Sequence, residues 1–464
     1  MRLASLITSK KTRTLYGKSL TLIVLFSGFF LNTNAQDNSP YSRYGIGDLV
    51  PSTSVISRSM GNISAGIVDN YGLSINFSNP ASYSSFQTLK ELKSKKIASG
   101  RAIFDVGLNF ENRTLKEPAT AKKFVATNAL FSYIQIGMPI KPNWGLSFGL
   151  RPISRISYKI AQSERLKDPI TGSPIDSAVT RFEGDGGVYF ASIGTGFKIK
   201  NLSLGVNGGY LFGRKDYKTK RTFINDTLDY YSANFQTTST FGSLHFDAGM
   251  QYKINLGSKI TMTLGAYGNL SREIKATKDV LRETYVFDAT SGDTRLDSVN
   301  DNRNIKGKLI YPSSYTIGFV IQKMPQAKEA GWLIGVDFMQ QNWDKYRFFG
   351  ETDLVQNSWK LRIGTELRPI ATRNYLSNVS YRAGFSIGPD YVNIGQKLSQ
   401  FGVSLGMGLP LKISRQAPNQ ATLINVALEY GKRGNNNNLL RENTFRFSLG
   451  FSLSDFWFIK RKYE

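Results

Sequence analysis

Leu244-His245-Phe246-Asp247-Ala248-Gly249-Met250-Gln251-Tyr252-Lys253-Ile254 is the stretch on which the fold turns. Its even-numbered side chains are apolar or aromatic, and its odd-numbered ones are polar, charged or glycine. Successive strand residues point to opposite faces, so a strand here has one oily face and one wet face. The pattern returns in Phe401, Val403, Leu405, Met407 and Leu409, with Gly402, Ser404, Gly406 and Gly408 between them. It returns again in Phe445, Phe447, Leu449, Phe451 and Leu453. A soluble β-sandwich alternates in the same way, so the rest of the chain has to separate the two architectures.

The N-terminus argues for export. Residues 1–18 hold Arg2, Lys10, Lys11, Arg13 and Lys18 without an acid, an apolar run extends from Leu20 to Leu31, and then comes Asn32-Thr33-Asn34-Ala35. That is the plan of a secretory signal peptide, residues 1–35, cut after Ala35. The run is too short for a spanning helix, and nowhere later are there about 18 consecutive apolar residues. A barrel shows lipid only every second residue, so a mildly negative mean hydropathy is compatible with spanning a membrane. The chain has no cysteine, which excludes disulfides and thiolate metal sites. The formal charge is +25. An exported chain has no nucleic acid to meet, and the cations are scattered. They read as a solvated surface and lumen, with outer loops drawn to outer-membrane lipid and lipopolysaccharide.

Residues 36–97 lack sustained alternation and are rich in glycine, serine and asparagine, as in Ser39-Pro40-Tyr41-Ser42-Arg43-Tyr44-Gly45 and Asn76-Phe77-Ser78-Asn79-Pro80-Ala81. From residue 98 to 464 the alternating spans succeed one another, beginning at 98–113, 124–140, 143–160 and 178–199 and ending at 379–392, 397–411, 421–433 and 443–459. Their links at Lys141-Pro142, Lys200, Leu256-Gly257 and 324–330 are short, whereas 114–123, 161–177, 218–231 and 278–306 are long and polar. Short turns on one rim and long loops on the other organise an outer-membrane barrel. The last five strands sort less cleanly. The expected fold is all-β, a transmembrane antiparallel β-barrel of about fourteen strands with the N-terminal segment as a hatch in its lumen. Trp144, Trp332, Trp343, Trp359, Trp457 and Phe458 fit the aromatic girdles of such a barrel.

The leader, the Asn79-Pro80-Ala81 turn ahead of the strands, the opening Ser39–Gly45 and the closing Trp457–Tyr463 together resemble the FadL-type outer-membrane transporters of hydrophobic compounds, in their Bacteroidetes branch. The resemblance implies a Gram-negative outer-membrane protein whose hatch turns at Asn79, Pro80 and Ala81. It implies passive uptake of a fatty-acid-like hydrophobic small molecule, with sideways exit where the third strand kinks. Some Bacteroidetes relatives instead partner secreted proteins, so the alternative is a docking or accessory subunit of a secretion or assembly complex. Hatch aromatics Phe77, Tyr83 and Phe86 fit the lining of a narrow ligand track, although the inward residues His245, Asp247, Gln251, Lys253 and Arg446 are polar. Pro152 stands inside the third strand between Arg151 and Arg155. Proline has no N–H for a ladder, so this trio marks either a lateral gate or a bulge that re-aims the two arginines. Pro312 is a second interruption.

No reaction and no cofactor are expected. His245 is the only histidine, beside Asp247 and near Ser243, but residues two apart on one strand face sit roughly 7 Å apart, too far for a nucleophile and its base. Asp293, Asp297 and Asp301 do not have the alternate spacing of a calcium loop.

Overall fold

The computed structural model describes residues 39–69, 73–90, 97–224, 230–288, 292–411 and 420–457. The leader, Phe458 and the basic tail lie outside them. Fourteen strands form one closed antiparallel wall. They are β1 (Ile97–Lys116), β2 (Lys123–Lys141), β3 (Trp144–Lys167), β4 (Pro174–Ile199), β5 (Leu202–Phe223) and β6 (Ser232–Asn255). Next come β7, in two parts (Ile260–Asn269 and Arg272–Asp288), and β8, also in two parts (Gly292–Tyr311 and Ser314–Lys323). β9 (Gly331–Gln341), β10 (Ser358–Arg368), β11 (Ser380–Asn393), β12 (Lys397–Pro410), β13 (Ala421–Arg433) and β14 (Arg441–Trp457) complete the wall. β14 pairs with β1 from Arg441↔Lys116 to Trp457↔Gly100 and closes the ring.

The wall is inside out relative to a soluble protein. Leu244, Phe246 and Met250 are 56, 47 and 47% exposed, while His245, Asp247 and Gln251, each next after one of them, are 5, 9 and 3% exposed. A sandwich would bury the apolar set, and each such side chain left in water forgoes about 1.5–3 kcal/mol. Only a bilayer covers a surface like this.

The long polar links are shorter than the sequence suggests. β3 and β4 continue to Lys167 and from Pro174, and β7 and β8 reach Asp288 and Gly292. Hairpins that project into water keep their backbone bonds but need no apolar face, so the periodicity that betrays a strand disappears there. In the last five strands the count holds but the sorting by rim does not. Link 369–379 falls on the short-turn rim, whereas 394–396 on the other rim is tighter. The link from β9 to β10 folds inward, so Trp343 is buried against Tyr346 and Tyr391 rather than standing in a girdle.

Residues 39–69 and 73–86 occupy the lumen. They contain short helical turns at Pro40–Arg43, Val55–Arg58 and Pro80–Ser85, each opened by a side-chain cap from Ser39, Ser54 or Asn79. The wall makes room for them with inward glycines. A Cβ on Gly265 would come 1.9 Å from Ala65 O, one on Gly205 2.3 Å from Pro80 C, and one on Gly384 1.9 Å from Gly61 N. Gly384→Ala should therefore cost about 1–3 kcal/mol by overpacking. Gly431→Ala, whose Cβ meets nothing nearer than 3.8 Å, should stay within about 0.5 kcal/mol of the parent. Thermal unfolding followed by the heat-modifiable gel shift compares the two, and equal midpoints would refute the role of the glycines.

Candidate functional site

The ladder between β2 and β3 runs from Lys141↔Trp144 to Ile134↔Leu150 and stops. Beyond it Lys123–Tyr133 of β2 pairs only with β1, and β3 pairs on its other side with β4. Pro152 sits where the pairing ends. Opposite β4 the register jumps from Pro152↔Tyr189 to Ser154↔Val188, leaving Ile153 as a bulge. The extra residue shifts the alternation by one. Arg151 is buried, after which Ser154, Ile156 and Tyr158 are the buried set. Arg155 is half-buried on the opposite alternation, and its Nη1 has no partner. The bulge thus separates Arg151 from Arg155.

The hatch crosses this seam. Asp48–Leu49 pairs antiparallel with Arg155 and Ser154. The Val50 N–H donates to Ile153 O at 2.9 Å, the Ser39 N–H to Ser157 O at 3.1 Å, and Ser154 Oγ donates to Ile46 O at 2.6 Å. The second interruption behaves differently. At Pro312 the two halves of β8 meet, and Asn269 Nδ2 donates to Pro312 O at 2.9 Å while Ser271 Oγ donates to Tyr311 O at 3.0 Å.

Charged clamps hold the hatch to the wall. Asp48 receives Arg113 Nη1 at 2.5 Å and Arg433 Nη1 at 2.8 Å. Both arginines also reach Glu442, at 3.1 and 3.4 Å. Arg113 further binds Glu111 at 2.7 Å, and Arg433 binds Asp390. Arg446 bridges Glu111 and Glu429 at 2.8 and 3.0 Å. Burial alone would raise the Asp48 carboxyl, but Arg113 and Arg433 hold it below its ordinary value. Its contribution is therefore complete above the usual carboxylate pKa of about 3.9 and fades as the pH falls through the depressed value. Arg58 is fully buried, donating to Asn109 Oδ1 at 2.6 Å and Pro51 O at 2.8 Å. Burial pushes its guanidinium down to about 10, so it stays charged at neutral pH. From the wall, Asp337 Oδ2 accepts the Ser64 and Ala65 N–H groups at 2.6 and 2.9 Å.

The Asn79-Pro80-Ala81 turn opens the third helical turn. Asn79 is fully buried, accepts the Ala81 N–H at 3.2 Å, and donates to Ala65 O at 2.8 Å and to Met250 O of the wall at 3.2 Å. Arg151 Nη2 reaches Asp247 at 3.2 Å, and its guanidinium lies 5.4 Å from the centre of the Phe77 ring. His245 binds the other Asp247 oxygen at 2.9 Å and sits edge-on between Phe190 and Tyr311. Asp247 is its one hydrogen-bond partner among the described residues, so the histidine stabilises a lumen network and meets no serine. Phe77, Tyr83 and Phe86 are buried in one apolar cluster with Val55, Ile75, Ile103 and Tyr133. Phe77 lies 4.8 Å from Tyr133, and Tyr83 OH donates to Asn207 Oδ1 at 3.0 Å. Asp293 pairs with Lys220, Asp297 accepts the Ser298 N–H, and Asp301 pairs with Arg303. They form no metal-binding group among the described residues.

Among the described residues, three of the spaces between hatch and wall bear on function. One of 210 Å³ is walled by Asp48, Arg113, Lys360, Asp390, Arg433 and Glu442. One of 180 Å³ is walled by Arg151, His245, Asp247, Tyr311 and Arg362. A 440 Å³ cleft at the short-turn rim is lined by Ile56, Met60, Ile67, Leu333, Val379 and Leu423. Phe77, Tyr83 and Phe86 border none of the three. Charge is also divided by rim. On the long hairpins Lys159, Lys220, Arg221 and Lys308 pair with Glu183, Asp293, Glu164 and Glu273. On the short-turn rim Lys259 and Lys323 share Glu329, while Lys141, Lys198, Lys200, Lys253 and Lys328 have no ion pair among the described residues.

The family described as BamG matches residues 17–464. The chain belongs to the BamG family. No curated protein matches it. Among solved structures, a Pseudomonas aeruginosa FadL homologue aligns over 89% of this chain and 100% of that one, with 13% identity and a TM-score of 0.51. The Pseudomonas putida toluene transporter TodX aligns over 88% and 99%, with 15% identity and a TM-score of 0.49. At such identities the likeness is one of fold, and the fold is a FadL-like barrel.

Sequence reasoning missed the clamps, because Asp48 and Arg113 are far in the chain from Arg433 and Glu442. The available signal was charge at inward alternate positions, as in Glu111 and Arg113. Asp48→Asn should weaken the hatch by about 3 kcal/mol, since it strips a buried charge from two arginines. Hydrogen exchange over residues 39–50 should rise accordingly, and unchanged protection would dismiss the clamp.

Proposed function

We propose that this BamG-family barrel serves in the outer membrane of a Gram-negative bacterium as a docking or accessory subunit of a protein secretion or assembly complex, with its hatch as a fixed plug. The observation that carries this reading is the set of buried clamps. Asp48, Arg58, Asn79 and the Asp337 contacts tie the hatch to widely separated wall strands. They leave chambers of 210 and 180 Å³ with charged groups in their walls, smaller than the roughly 300–1,000 Å³ of small-molecule sites. The family name, which hints at an assembly complex, agrees with it. The unpaired lysines of the short-turn rim suit a partner with an acidic face, because complementary charge steers association. Purified in mild detergent at low salt, the protein should carry stoichiometric protein partners. Combining Lys141→Glu, Lys200→Glu and Lys253→Glu should release them at lower salt than the parent does. A partner-free protein holding only lipid would refute this reading.

A second reading is favoured by the interruption at Pro152 and the apolar rim cleft of 440 Å³: passive uptake of a fatty-acid-like hydrophobic molecule with lateral exit through the seam, like the transporters that share the fold. Pro152→Val restores an N–H to the strand and should abolish such uptake in intact cells. Uptake at the parental rate would end this second reading.

A further inference from the structure

The seam holds more than an interruption. Along Lys123–Tyr133 the only ladder partner of β2 is β1. Across the seam these residues meet no backbone partner among the described residues. The two edges differ. The β3 edge is capped over Ile153–Ser157 by Ser39, Asp48, Leu49 and Val50 of the hatch, while the β2 edge has no such cap. Val125 and Phe131 of β2 are exposed and apolar, as expected for a wall facing lipid. On the inner face of the same strand, Asn128 is buried with both amide atoms unpartnered, and buried Ser132 Oγ is unpartnered too. A bare peptide group in hydrocarbon costs several kcal/mol, and an unpaired buried amide adds to that.

We infer that the β2 edge of this seam is a strand-docking site that takes an extended segment of a partner protein by β-augmentation. This inference rests on the docking reading above. The segment lies between β2 and the hatch-capped edge of β3. Its outward side chains are apolar beside Ala129 and Phe131, and its inward ones carry donors and acceptors for Asn128 and Ser132. The free run is about ten residues, or roughly 33 Å of strand. An acyl chain fits the oily surroundings but has nothing to give a row of N–H and C=O groups. A polypeptide strand satisfies the row and matches its period. The hatch already shows the chemistry, since Asp48–Leu49 adds to the opposite edge as a short antiparallel strand.

Photoreactive residues placed singly at the exposed positions Thr127, Ala129 and Phe131 of the full chain test the idea in native outer membranes, with lipid-facing Leu204 of β5 as the control. The expected result is adducts to one polypeptide, with successive sites two residues apart mapping to partner residues two apart. Leu204 should give lipid adducts. In the purified, partner-free protein the seam-side amides of 124–133 should exchange at least about tenfold faster than those of β5. Lipid adducts alone at all three sites, protein adducts without that register, or protected β2 amides in the purified protein would each overturn the inference. Stoichiometric partners together with lipid-only seam adducts would leave the docking reading standing and remove this one. Absence of partners would remove both.

Discussion

Hydrocarbon offers no water to a peptide group, so a wall in a membrane must pair each N–H and C=O with another part of the chain. That demand explains the closure of β14 on β1, and it makes the seam between β2 and β3 the place where the structure has most to explain. Pro152 removes a donor there, the bulge at Ile153 turns the strand, and the ladder does not resume. The repair comes from inside the lumen. The hatch lends a two-residue strand and two further N–H groups to one edge, so wall and plug form one hydrogen-bonded object.

The same segment is anchored on its other side by charge. Asp48 pairs with the seam through its backbone and with Arg113 and Arg433 through its carboxylate. It therefore ties the opening in the wall to β1 and β13. Buried ion pairs are weak evidence for stability, because desolvation offsets much of the attraction. Their geometry is demanding, however, and losing one member leaves the others exposed to that cost. A lumen lined with such pairs favours one position of the hatch over many. The glycines do complementary work, since backbone of the hatch and backbone of the wall approach within distances that any Cβ would block. Tight apolar packing at Phe77, Tyr83 and Phe86 completes the seat.

Much of this was legible in the chain. Alternation located the strands, because a strand with one face in lipid and one in water has to alternate. The same signal failed in the hairpins beyond Lys159 and Thr277, where both faces meet water and nothing forces a period. Pro152 could be found by inspection, since proline in a closed wall breaks a ladder. The fates of Arg151 and Arg155 could not, because a bulge of one residue decides which face each takes. Trp343 misled for a related reason: its link folds inward, and nothing local says so. The basic charge was visible as a total, but its division between rims depends on which acids each cation meets.

The sequence by itself pointed to a membrane barrel of about fourteen strands behind an irregular N-terminal segment, because period-two polarity fits a barrel and a sandwich alike, and the export leader with loops sorted by length favours the barrel. Only the tertiary structure decided how the plug is held. Arg433 and Glu442 face each other across one hairpin, but Arg113 stands 329 residues from Glu442 and meets it only when β14 closes on β1, and Asp48 stands 385 residues from Arg433. The physical reason is range. Alternation is written into adjacent residues, whereas a buried ion pair and a glycine contact between backbones exist only between segments that folding brings together.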